Sequence, residues 1–264
     1  MDRSVTVKKN LSISLLIVFI LLILFSFIYI ISYYYNMYKI LEESKLLDEI
    51  SIDEDIIAQE ASENPIVEKT ERMLKLEELQ KENSDIIGWI EIENTNINYP
   101  VLQGSDNDFY MNHNSKKEYS SGGSIFLDKD YNWNPPSSNL LMYGHNIKTG
   151  AMFQNLLKYK DKNFYESHQT IRFTTNQEDS TYEIIAVFPS KIYYKSEKNV
   201  FRYYYFINAN NEDEYNEFVE SAKKASLYDT GKTAKYGEQL MTLSTCAYHT
   251  EDGRFVVVAR KTGS

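Results

Sequence analysis

Cys246 is the only cysteine among 264 residues. It closes the run Leu240-Met241-Thr242-Leu243-Ser244-Thr245, whose apolar and β-branched residues read as a strand. A polar turn follows, then a second strand, Phe255-Val256-Val257-Val258-Ala259-Arg260, opened by Arg254. Paired as an antiparallel hairpin, the two strands put Cys246 and Arg254 at neighbouring ends. A guanidinium beside a thiol favours the thiolate, which is the nucleophilic form. By itself a lone cysteine is more often a small buried apolar residue. Nucleophilic chemistry therefore requires a base as well.

The run Leu140-Leu141-Met142-Tyr143-Gly144-His145-Asn146 supplies one: an apolar strand that ends in a histidine. A cysteine nucleophile needs its base near in space, not in sequence. His249 is a rival by proximity, three residues after Cys246. It sits in the predicted hairpin loop, where side chains are usually solvated. His113 and His168 lie in polar surroundings and read as surface residues. Four scattered histidines and one cysteine give no metal-ligand spacing, so neither a metal nor a cofactor is expected. No Asp or Asn stands out to orient His145. Asn146 is adjacent, but successive strand residues face opposite sides.

Taken together, Tyr143-Gly144-His145-Asn146, Thr242-Leu243-Ser244-Thr245-Cys246 and Arg254 resemble the His, Cys and Arg signatures of the sortases, membrane-anchored cysteine transpeptidases of Gram-positive bacteria. Ile86-Ile87-Gly88-Trp89-Ile90, Tyr99-Pro100-Val101, Asp106-Asn107-Asp108-Phe109-Tyr110 and Gly123-Ser124-Ile125-Phe126-Leu127-Asp128 resemble class B members in the same order. The similarity runs from about Asp85 to Lys261. It implies an eight-stranded β-barrel with N-terminal helices and a helix between strands six and seven. It implies Cys246 as nucleophile, His145 as acid and base, and Arg254 as oxyanion or substrate-backbone donor. Asn107, Met111, Tyr143 and Ser244 match positions that contact the sorting peptide in class B enzymes. Met111 and Tyr143 serve equally well as core residues. The family's calcium-dependent class has no motif here.

The implied reaction cleaves a C-terminal sorting signal after Thr and passes the acyl group to an amine. The signal would be NPQTN-like or a related proline-containing motif. The acceptor would be peptidoglycan or another surface protein such as a pilin. Two alternatives remain open at this level: a hydrolytic cysteine endopeptidase, and a non-catalytic surface-binding barrel.

The remaining segments must deliver these residues. Lys8 and Lys9 precede an uncharged stretch, 11–32, long enough as a helix for a bilayer core. Tyr33-Tyr34-Tyr35 suits the interface, and the basic start predicts a cytoplasmic segment 1–10 and an exported C-terminal part. A cleaved signal peptide is the rival, but no small-x-small site follows. Residues 33–66 read as an acidic stalk. A catalytic domain covers 67–264 and begins with a helix over 67–82. Strands are expected at 86–92, 98–102, 124–127, 139–144, 169–175, 181–188, 239–245 and 254–260, a mainly β pattern. Helices are expected at 106–114, 150–159 and 212–225. The last has Tyr215, Phe218, Val219, Ala222 and Ala225 at helical spacing, acidic residues first and Lys223-Lys224 last. It must lie outside the barrel, as a cover or as one wall of a substrate groove. A formal charge of −10 argues against a nucleic-acid partner.

Overall fold

A computed structural model describes residues 3–48, 71–247 and 250–263. Eight strands close into a barrel in the order β1-β2-β3-β4-β7-β8-β6-β5. They are β1 (Ile86–Glu91), β2 (Asn98–Leu102), β3 (Ile125–Leu127), β4 (Asn139–Gly144), β5 (Thr170–Thr174), β6 (Asp179–Lys191), β7 (Leu240–Cys246) and β8 (Gly253–Gly263). Two neighbours are parallel, β2 with β3 and β4 with β7. The remaining pairs are antiparallel. Closure leaves no sheet edge unpaired, which suits a domain with one cysteine and no internal disulfide.

Alternation along each strand sorts side chains between two faces. Met142, Leu243, Val257 and Phe173 point into one buried cluster with Phe153 and Leu156. Leu141, Leu240, Val256 and Val258 belong to a second cluster on the outer face. Helix α4 (Glu212–Ala225) covers that outer face with Tyr215, Phe218, Val219 and Ala222. Its N-terminus is capped by Asn211, whose side chain accepts the Glu214 N–H at 2.9 Å. Ala225 is exposed rather than part of the buried stripe. Helix α2 (Glu71–Glu82) buries Met73, Leu76 and Leu79, and Leu76 and Leu79 pack with Trp89 and Tyr110. Its predicted start at 67 lies outside the described residues, as does the stalk from 49 to 66.

Helix α1 (Arg3–Asp48) contains one stretch, Leu15–Lys39, long and apolar enough to cross a membrane. The helix continues past the apolar run as far as Asp48, into the acidic segment. The predicted helix at 106–114 is reduced to a 3-10 turn, Phe109–Met111, because Asp106 accepts the N–H groups of Asp108 and Phe109 in a local turn. The predicted helix at 150–159 is a 3-10 segment, Phe153–Lys160, followed by a short helix α3 (Lys162–Ser167). Strands β6 and β8 are longer than expected because they pair with each other from Thr181–Gly263 to Lys191–Gly253.

Candidate active site

The register sets the site. In the antiparallel β7–β8 pair, Cys246 stands directly opposite Arg254. Opposed residues hold their Cβ atoms about 4.5–5.5 Å apart and share a face. In the parallel β4–β7 pair, Tyr143 is level with Ser244 and Gly144 with Thr245. His145 follows as the next residue, one strand away from Cys246. Thr245 Oγ1 donates to the Gly144 carbonyl at 2.8 Å, and Asn146 Nδ2 donates to the Cys246 carbonyl at 3.0 Å. The ends of β4 and β7 are thereby tied together where the three side chains emerge.

Gly144 is required there by space. A Cβ on it would fall 2.4 Å from Ile125 Cδ1 and 2.7 Å from the Phe153 ring. With Gly144 turned toward the interior, Tyr143 and His145 take the outer face that carries Cys246 and Arg254. His145 Nε2 lies 2.6 Å from the Met111 carbonyl oxygen. A carbonyl only accepts, so Nε2 carries a hydrogen and Nδ1 is left unprotonated in the neutral ring. The loop that presents Met111 turns at Gly123, where φ is +57° and a Cβ would sit 2.6 Å from the Tyr110 and Met111 carbonyl oxygens. Among the described residues the imidazole is oriented by a main-chain oxygen rather than by an acidic or amide side chain. Asn146 spends its amide on Cys246, as its expected orientation away from His145 requires.

Cys246 and Arg254 are both half-buried. The Arg254 Nη1 donates to the carbonyls of Asp252 and Gly253, at 3.2 and 3.0 Å. Among the described residues no carboxylate pairs with it, so its remaining N–H groups stay available. Cys246, His145 and Arg254 line a groove of ≈ 420 Å³ together with Asn107, Met111, Asp128, Tyr143 and Ser244. Ile192, Tyr204 and Tyr205 form another part of its lining. Such a set offers a soft nucleophile, a base one strand away, and a cation for a developing oxyanion.

A sequence model of the sortase domain matches residues 90–262. The chain belongs to the sortase family. Sortase B of Listeria monocytogenes is 34% identical over 185 residues, covering 69% of this chain and 72% of that protein. Sortase B of Staphylococcus aureus is 32% identical over 188 residues, covering 70% and 74%. Among solved structures, a Staphylococcus aureus sortase B superposes with a TM-score of 0.69 at 27% identity, covering 86% of this chain and 99% of that one. A Clostridium perfringens sortase B gives 0.62 at 32% identity, covering 70% and 98%. The resemblance read from the motifs thus holds at class B. The chain is a cysteine transpeptidase of the cell-envelope type, acting on proteins that bear sorting signals.

Several features of this sortase were not legible in the motifs. The groove wall is not α4 but the segment before it, which holds Tyr204 and Tyr205 in or beside a 3-10 turn, Tyr203–Tyr205. Ser244 is 2% exposed, and its hydroxyl lies 2.7 Å from the Tyr203 phenol oxygen. Burial pushes the Tyr203 phenol above its usual range, against the bond from Ser244 and the charge of Arg254. Asp128 accepts from Tyr143 and Asn107 at 2.9 and 3.0 Å. Met111 is exposed, and both its side chain and its carbonyl face the site. His113 and His168 are not plain solvated histidines. Each stacks at 4.0 Å on the phenylalanine four residues before it and bonds that residue's carbonyl at 2.8 Å. His249 lies outside the described residues.

Proposed function

We propose that this sortase cleaves a C-terminal sorting signal after Thr and transfers the acyl group to a cell-wall or pilin amine. One observation carries the assignment of roles: Cys246 faces Arg254 across a strand pair, with His145 at the adjoining strand end, in one groove. His145 Nδ1 takes the proton of the Cys246 thiol, and the thiolate adds to the Thr carbonyl carbon and forms a C–S bond. Arg254 donates to the resulting oxyanion. Collapse breaks the C–N bond, and the leaving amine takes its proton from His145. An incoming amine gives a proton to His145, attacks the thioester, and releases the sulfur as thiolate. Because Nε2 is held on the Met111 carbonyl, Nδ1 is the atom that exchanges the proton.

The groove floor and walls, with Asn107, Met111, Tyr143 and Ser244, would bind the signal, NPQTN-like or a related proline-containing motif. Residues 1–10 would be cytoplasmic, 11–32 would span the membrane once, and 33–66 would hold the catalytic domain, 67–264, outside the cell. The apolar stretch Leu15–Lys39 supports that arrangement. The test is incubation with a panel of sorting-signal peptides plus an oligoglycine or diaminopimelate-like amine, read by mass spectrometry. A ligated product with the amine supports the proposal. Release by water alone, even with amine in excess, would make the protein a hydrolytic endopeptidase. No cleavage and an unreactive Cys246 would leave a binding barrel.

A further inference from the structure

Asp128 is a carboxylate for which the reaction has no use. It directly follows β3, is 4% exposed, and is ion-paired with no lysine or arginine among the described residues. A buried charge of this kind is retained only where hydrogen bonds replace its water. Oδ1 accepts the Asp130 N–H at 2.9 Å. Oδ2 accepts both the Tyr143 hydroxyl at 2.9 Å and Asn107 Nδ2 at 3.0 Å. Tyr143 and Asn107 come from different elements, β4 and the loop after β2, and share this oxygen.

An ionised carboxylate accepts and never donates, so both partners must turn a hydrogen toward it. The Tyr143 hydroxyl then has only lone pairs to offer the groove. Burial, with the Asp128 charge beside it, holds that phenol far above its usual range, so its proton stays in place. Asn107 is constrained as fully. Its Oδ1 accepts the Lys129 N–H at 2.8 Å and one of its N–H groups is on Asp128, which leaves the second N–H. We infer that Asp128 is a positioning residue that fixes Asn107 as a donor and Tyr143 as an acceptor for an amide group of the acyl-donor peptide. The inference rests on the proposal that this groove takes a sorting signal.

Asp128→Asn keeps the size of the side chain but puts a donor where one acceptor was. With its amide nitrogen at the Oδ2 position both Tyr143 and Asn107 lose their acceptor, and with it at the Oδ1 position the Asp130 N–H that holds the carboxylate in place loses its own. The KM for a sorting-signal peptide should rise about tenfold while kcat stays within about threefold, the signature of lost binding rather than lost chemistry. Alkylation of Cys246 by iodoacetamide should proceed at the wild-type rate. The double variant Asp128→Asn/Tyr143→Phe should lose little beyond Asp128→Asn, because the two act through one contact. An unchanged KM, a parallel fall of kcat with slowed alkylation, or fully additive losses would each overturn the inference. If Asp128→Asn fails to fold, Tyr143→Phe decides: its KM should rise with alkylation intact, and an unchanged KM overturns the inference. Wild-type protein that cleaves no such peptide overturns the proposed function and this inference with it. Wild-type protein that cleaves, matched by Asp128→Asn, overturns this inference alone.

Discussion

Arg254→Lys separates two ways in which a cation can serve Cys246. As a charge alone it favours the thiolate through space, without any requirement on the shape of the donor. A lysine at the same position keeps most of that. As a shaped donor it does more. The guanidinium holds two turn carbonyls through Nη1, at 3.2 and 3.0 Å, and so fixes the plane in which its other N–H groups face the groove. A lysine ammonium has a single nitrogen. If it bonds the Asp252 and Gly253 carbonyls it is drawn toward the turn, and if it reaches the groove it abandons them. Loss of a preorganised oxyanion donor costs on the order of 10²–10³ in turnover, about 2.7–4 kcal/mol. We therefore expect Arg254→Lys to lose about as much as Arg254→Ala. The assay is steady-state cleavage of a sorting-signal peptide by both variants, with the Cys246 alkylation rate followed in parallel. Turnover in Arg254→Lys within about threefold of wild type would refute the geometric role and leave only the charge.

Cys246→Ala and His145→Ala should each abolish cleavage in the same assay. Neither should move the thermal midpoint much, since both side chains are half-buried. Gly144→Ala should destabilise the domain by about 1–3 kcal/mol, measured by urea titration, because its Cβ collides with Ile125 and Phe153. It should also slow cleavage, as the strain falls one residue before His145. Acid sensitivity follows from Glu183, which burial pushes up but which hydrogen bonds from Lys232 and Arg260 hold below its usual range. A carboxyl depressed on folding stabilises above its unfolded value, about 4.3, and loses that contribution as pH falls through the lower folded value. Thermal midpoints should thus drop below about pH 4.3, and less steeply in Glu183→Gln; identical slopes would contradict this account.

Local pattern alone settled much of this protein. Strand-length apolar runs bounded by turn residues gave all eight strands, and 139–144 matches residue for residue. Period and charge order gave α4, because an amphipathic helix writes its buried face into a few neighbouring positions. The hairpin that pairs Cys246 with Arg254 was legible for the same reason, since one short turn joins its strands. That His145 reaches them was suggested by motif and decided by a parallel pairing of β4 with β7, which spans about a hundred residues of chain. No local signal encodes such a contact, because parallel neighbours depend on a crossover and on closure of the whole barrel. The same holds for what orients His145. A main-chain oxygen of Met111 carries no side-chain identity, so residue types could not announce it. Asp128 illustrates the last limit. As a residue it is one acid among many, and only its burial between Tyr143 and Asn107 makes its acceptor geometry matter.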